Sequence, residues 1–280
     1  MNCYKLIRKF FEFLVFSSVH ISGAATLWGV ITFILLNESM NLSLVVIFFL
    51  TFFTYTLNRL GGEKEDIVNY PERVSFSRKY KKIFIPISIL LFIFSLIISL
   101  FILENIKIFF IVLLTPLLFL VYKFFKKTFL MKNILLGIFW SLPVFIAGIS
   151  VGILNSIVFS FAFFIFLRDF INTIFFDIRD IKGDKKEGVN TVPVKIGVEK
   201  TMKLINLINI GSGVILFLLV YLKLLSLRAI FLLGLVGFNL IYYSLFKISR
   251  IDKFWLYDVI ADSEIYFAFF LIILSGIWFQ

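Results

Sequence analysis

The stretch IVFSFAFFIFLRDFINTIFFDI, residues 157–178, decides the architecture, because its only charged residues are Arg168, Asp169 and Asp177. A helix needs about 20 predominantly apolar residues to cross a hydrocarbon core of roughly 30 Å. The run does not alternate as a membrane β-strand does. A helix also pairs its own backbone polar groups, which lipid cannot do. Outward from this stretch, eight more segments read the same way: 13–37, 42–60, 83–103, 106–124, 134–154, 203–222, 226–247 and 258–279. The expected fold is an all-α integral membrane protein, a bundle of about nine transmembrane helices in which residues 1–280 form a single domain.

Composition agrees. Hydrophobic residues make up 61% of the chain and charged residues 16%, where a soluble domain carries about a quarter charged. Mean hydropathy is +1.03, and a soluble core has no room for 39 phenylalanines. The single cysteine, Cys3, excludes an internal disulfide and a cysteine-based metal cluster. The single histidine, His20, excludes a multi-histidine site and reads as a polar packing residue. The first apolar run is long and lacks a cleavage signature, so it reads as a span rather than a signal peptide.

The net charge of +11 does not call for nucleic acid, because the basic residues lie in the links between apolar runs. With the N-terminus inside, Lys107, Lys223 and Arg228 are the only Lys or Arg outside, and Arg168 is the only one within a span. The rest of the 28 fall inside. That asymmetry predicts a multi-pass cell-membrane protein with a cytoplasmic N-terminus and an external C-terminus.

Two cytoplasmic links are long, 61–82 and 179–202, and they follow the second and sixth spans. This hints at a duplicated four-helix unit, without a residue-level repeat. The acids gather near these links: Glu63, Glu65, Asp66 and Glu72 in the first, and Asp169, Asp177, Asp180, Asp184 and Glu187 in or beside the second. Asp177, Asp180 and Asp184 share a helical face at i, i+3, i+7 spacing. Stacked carboxylates repel unless a cation joins them, and Mg²⁺ binds through one or two carboxylates plus substrate phosphates. The alternative is a solvated helix end beside lysines. In the first link Asn58, Gly62 and Asp66 follow i, i+4, i+8 spacing. Arg73 follows an Asn-Tyr-Pro-Glu turn, where it either grips phosphate bidentately or anchors the membrane surface. Asp258, Asp262 and Glu264 open the last span, close enough to the membrane to face a cavity mouth.

On these residues the chain resembles the UbiA-type intramembrane prenyltransferases, as a divergent member. The first motif of that family corresponds to Asn58, Gly62 and Asp66, followed by Asn69, Pro71 and Arg73. The second corresponds to Asp180 and Asp184, followed by Gly188, Thr191, Pro193, Val194 and Gly197. The segment VYKFFKKTFLMKNILLGIFWSLP, residues 121–143, resembles the family's link between the fourth and fifth helices. The resemblance covers nearly the whole chain and implies nine helices around a central cavity. It implies a membrane-soluble acceptor, a prenyl diphosphate donor and Mg²⁺ held by Asp66, Glu65, Asp177, Asp180 and Asp184, with Asp66, Asp180 and Asp184 catalytic. Asn58, Arg73, Tyr122, Lys123, Lys126, Lys127 and Lys182 are the expected diphosphate-binding residues. One position departs: Gly62 stands where the family has an aspartate. The number of Mg²⁺ ions, and catalysis itself, then turn on whether Glu63 or Glu65 supplies the carboxylate.

The chemistry is self-consistent. An allylic diphosphate ionises when Mg²⁺ and cationic side chains stabilise the leaving charge, and aromatic faces attract the cation left behind. The rivals are a secondary transporter and a non-catalytic isoprenoid-binding relative. A transporter places its acids near the membrane midplane rather than at one face.

Overall fold

The structure is a computed structural model that describes residues 3–60, 64–247 and 252–278; of residues 3, 60, 64 and 65 it describes the backbone alone. Every regular element among them is helical. In chain order these are α1 (Cys3–Phe16), α2 (Val19–Leu36), α3 (Ser43–Leu60), α4 (Lys64–Asn69) and α5 (Pro71–Ile97), then α6 (Ile106–Phe125), α7 (Met131–Ser150) and α8 (Ser156–Glu187). The short α9 (Val192–Ile196) leads to α10 (Val198–Tyr221), α11 (Gly234–Phe246) and α12 (Glu264–Trp278). A wide turn over Ile98–Ile102 prolongs α5, a tight one over Leu227–Leu233 leads into α11, and wide and tight turns over Phe254–Ser263 lead into α12.

Eight helical runs among the described residues are long and apolar enough to cross a membrane, and Ser43–Arg59 is a shorter ninth. Three boundaries differ from the sequence reading. The first expected span, 13–37, is two helices, because Ser18 adopts a left-handed conformation (φ 69°). The Ser17 and Ser22 hydroxyls there donate to the carbonyls of Leu14 and Ser18, giving the interrupted backbone local partners. The third span begins at Pro71, whose fixed φ suits the first helical position. The sixth runs on to Glu187 and stops at Gly188, which caps it at φ 70°.

Helix α8 is the central post. Its Phe161, Phe164 and Ile165 pack with Trp28 of α2, Leu216 of α10 and Ile272 of α12. Further along, Phe175 packs with Tyr242 and Tyr243 of α11 and Tyr257 ahead of α12. Helix α7 closes on α8 at Gly137, where a Cβ would come within 2.8 Å of the Phe166 ring. The outward residues are as apolar as the core: Phe124 is 81% exposed and Leu207 70%. On a multi-pass protein that surface is the one lipid covers.

One buried ion pair is completed by further hydrogen bonds. Arg168 is 1% exposed and bonds Glu264 at 2.6 and 2.8 Å through Nη2 and Nε. Its Nη1 reaches Asn209 Oδ1 at 2.6 Å and Ser212 Oγ at 3.2 Å. Asn172 holds the other Glu264 oxygen at 2.6 Å and accepts from Tyr242 at 2.6 Å. Arg168 thus pairs across helices, not with its neighbour Asp169.

Candidate active site

A cavity of about 210 Å³ opens along one face of α8. Asp169, Thr173, Phe176, Asp177 and Asp180 line it, and the 3.6-residue repeat puts such positions in one stripe. Tyr55, Asn58 and Arg59 of α3 face them, with Arg73 of α5, Tyr122 of α6, Lys132 and Trp140 of α7, and Asp258 and Asp262 ahead of α12.

Several of these charges are paired. Lys132 Nζ donates to Asp177 Oδ1 at 2.6 Å, and Asn133 Nδ2 donates to Asp177 Oδ2 at 2.9 Å. Arg179 binds both Asp180 oxygens, at 3.0 and 3.3 Å, and Asp258 Oδ1 at 3.1 Å. Arg73 pairs with Asp66 at 2.6 Å. Tyr70 lies between the two guanidiniums, its ring centroid 4.3 Å from each. Burial pushes the Tyr70 phenol well above its ordinary range, and the flanking guanidiniums pull the other way. Asn69 clamps the first link to the second: its Nδ2 donates to the Asp180 carbonyl at 3.1 Å, and its Oδ1 accepts from the Gly183 N–H at 2.9 Å.

The sequence-predicted residues are thus partly united. Asn58, Arg73, Tyr122, Asp177 and Asp180 line the cavity, and Asp66 joins through Arg73. Asp184 is 3% exposed with Oδ2 lacking a hydrogen-bond partner, but it is not on the cavity wall. The chain folds back over it, the Val189 N–H meeting its carbonyl at 2.8 Å. Lys182 is exposed, Lys127 donates to the Glu187 carbonyl at 2.9 Å, and Lys123 lies over the Phe119 ring; none of the three is on the cavity wall, nor is Lys126. Gly62 and Glu63 lie outside the described residues, as does the Glu65 side chain. Helix α3 is described to Leu60 and α4 from Lys64, so the link that joins Asn58 to Asp66 through Gly62 lies outside the described residues.

Lys132, Asn133, Arg179 and Tyr70 were not singled out from the sequence. Lys132 meets Asp177 across 45 positions, with no local pattern to announce it. Arg179 carried a weak signal: a guanidinium between two aspartates, at the end of an apolar run.

A second, apolar chamber of about 60 Å³ adjoins the first. Tyr55, Asn58, Tyr122, Leu136 and Trp140 belong to both walls, and Ala25, Leu50, Phe119 and Phe139 line the apolar side. Among the described residues no group of three or more His, Cys, Asp or Glu side chains is placed to hold a metal alone. The unpartnered oxygen of Asp258 beside Asp180 fits a cation shared with phosphate oxygens, the usual mode of Mg²⁺.

A sequence model described as the UbiA prenyltransferase family matches residues 18–256. The digeranylgeranylglyceryl phosphate synthase of Methanosphaera stadtmanae is 27% identical over 220 residues, covering 78% of this chain and 79% of that protein. The protein of the same name from Methanococcus vannielii is 32% identical over 180 residues, 61% of each chain. Among solved structures, a UbiA homolog from Archaeoglobus fulgidus bound to DMAPP and Mg²⁺ is similar with a TM-score of 0.61 at 20% identity. That match spans 94% of this chain and 99% of the other and concerns the fold.

Proposed function

This chain belongs to the UbiA prenyltransferase family, a multi-pass membrane prenyltransferase, and from that premise we propose that it joins a prenyl group to the hydroxyl of a prenylated glyceryl phosphate. The donor is a prenyl diphosphate and the reaction needs Mg²⁺. The acceptor reading draws on relatives named digeranylgeranylglyceryl phosphate synthase, a product carrying two such groups on one glyceryl phosphate. One observation carries the donor reading: a charged chamber and an apolar chamber share the wall Tyr55, Asn58, Tyr122, Leu136 and Trp140. A diphosphate with a hydrocarbon tail needs that pair of environments.

In this reading Arg73, Lys132 and Arg179 take the diphosphate oxygens, each partly released from its carboxylate as the anion arrives. Asp66, Asp180 and Asp258 would hold Mg²⁺, which would supply positive charge for the leaving group. The cationic side chains stabilise the negative charge that develops as the carbon–oxygen bond opens. Tyr55, Tyr122 and Trp140 present aromatic faces to the allylic carbon, where a cation is favoured, and the apolar chamber keeps water from it. Asp184, away from the cavity wall, holds the returning 188–192 segment in this account. The whole of 1–280 acts as one domain, with the charged mouth toward the cytoplasm, as the basic links favour.

The test uses purified protein in lipid nanodiscs with Mg²⁺, radiolabelled prenyl diphosphates of several lengths, and geranylgeranylglyceryl phosphate beside a hydroxybenzoate acceptor. Labelled diprenylglyceryl phosphate is the expected product. Transfer to the aromatic acid alone overturns the acceptor assignment, and no transfer to either overturns the reading. For orientation, cysteines introduced at Arg73 and Lys186 should resist impermeant reagents on intact cells, while one at Lys223 should react; the reverse pattern turns the protein over.

A further inference from the structure

The donor chemistry leaves the deepest aspartate of the α8 stripe unused. Along the α8 stripe, Asp177 and Asp180 stand at the charged mouth, and Asp169 lies eight residues earlier, about 12 Å deeper at 1.5 Å per residue. Four other acids of the wall are engaged. Lys132 and Asn133 hold Asp177, and Arg179 holds both oxygens of Asp180 and one of Asp258. Glu264 gives one oxygen to Arg168 and the other to Asn172. Asp262 lies near Asp258 and Arg179 and so belongs to the mouth. Asp169 lines the cavity, and its buried Oδ2 has no hydrogen-bond partner among the described residues.

Its surroundings suit a proton acceptor that works away from the metal. The charged neighbours that reach it are Glu264 and Arg168, which neutralise each other, and Asp262. Helix α3 brings the Tyr55 phenol toward it, α7 contributes Leu136 and Trp140, and α2 contributes Ile21, Ala24 and Trp28. Tyr55 and Trp140 belong to both chambers. Asp169 therefore lines the charged chamber deeper than the mouth, near Tyr55 of the wall that this chamber shares with the apolar one.

We propose that Asp169 accepts the proton of the acceptor hydroxyl. The hydroxyl oxygen forms a bond to the prenyl C1, the bond from C1 to the diphosphate oxygen breaks, and its electron pair leaves with the diphosphate. The O–H proton passes to the Asp169 carboxylate, and the products are an ether and a diphosphate. The assignment rests on the hydroxyl-acceptor reading above. A carboxylate in hydrogen-bond reach of the reacting proton typically contributes 10²–10⁴-fold to rate.

Asp169→Asn tests this in nanodiscs under single-turnover conditions, with geranylgeranyl diphosphate, Mg²⁺ and whichever acceptor the wild type uses. Transfer should fall by about 100-fold or more. Binding of the non-reacting geranylgeranyl thiolodiphosphate should change less than threefold, and the thermal midpoint should not drop. The acid limb of the wild-type pH–rate profile should vanish, and Asp169→Glu should restore part of the rate. Transfer within threefold of wild type overturns the assignment, as does an equal loss of donor binding. A wild type inactive with every acceptor overturns the functional reading instead, so the two failures are distinct.

Discussion

Helix α8 carries two buried charge systems a few turns apart, and they are built on opposite rules. Arg168 bonds Glu264, Asn209 and Ser212, Glu264 accepts from Asn172 and Asn172 from Tyr242, a completed set of hydrogen bonds although Arg168, Asn172 and Glu264 also line the cavity. Around Arg179 and Lys132 the pairs stand at the charged mouth of the cavity, and an Asp258 oxygen lacks a partner among the described residues. A buried charge costs several kcal/mol to desolvate and is tolerated when its hydrogen bonds are complete. The closed system therefore reads as architecture, tying α8 to α10, α11 and α12. The open one leaves polar atoms in wait, which is the expense a binding site bears.

Removing one partner from each system should separate the two rules. The largest effect belongs to the closed set. Arg168→Met leaves Glu264 buried without its cation, and breaking such a pair costs about 3–5 kcal/mol. The expected result is a lower thermal midpoint in detergent and less folded protein in membranes, with the residual folded fraction retaining activity per molecule. An unchanged midpoint would show that the network holds nothing together. In the open set, Arg179→Leu should leave the midpoint near wild type and lower kcat by 10²–10³-fold, about 2.7–4 kcal/mol, the usual cost of losing one electrostatic donor. Asp180→Ala should do the same. Should either lose stability in proportion to activity, the contrast between the two systems fails.

How much of this was legible beforehand follows the same division. The spans were readable because lipid demands continuous apolar helix, and the alternation of basic links with apolar runs is a local property. Asp177 and Asp180 were placed correctly on one face, since i, i+3 spacing needs no tertiary knowledge. Asp184, seven residues from Asp177, keeps that phase but is covered by the returning 188–192 segment. Lys132, Arg168–Glu264 and Tyr70 were not legible as partners. Their contacts join residues 45 and 96 positions apart, or depend on a ring settling between two cations. The break at Ser18 was missed because two serines in an apolar run look like small packing residues until the backbone reveals its left-handed turn.

The smallest expected effect concerns Tyr70, which bridges the two aspartate-bearing links. Its ring lies 4.3 Å from both Arg73 and Arg179, while its hydroxyl is buried without a hydrogen-bond partner. The face and the hydroxyl should therefore separate on mutation. Two cations over one ring gain about 0.5–2 kcal/mol each from its quadrupole, and that gain holds the guanidiniums side by side against their mutual repulsion. Tyr70→Leu removes the face, so Arg73 and Arg179 should spread. Affinity for a prenyl thiolodiphosphate should weaken about tenfold, equivalent to ~1.4 kcal/mol. Tyr70→Phe keeps the face and deletes an unpaired buried hydroxyl, a change that is neutral or slightly stabilising because no hydrogen bond is lost. Its donor affinity should stay within about twofold of wild type, well under 1.4 kcal/mol, with a thermal midpoint no lower. If phenylalanine is as damaging as leucine, the hydroxyl contacts the substrate and the ring is not what matters. If leucine is silent as well, the two arginines are held by Asp66, Asp180 and Asp258 alone, and the aromatic bridge contributes nothing to the site.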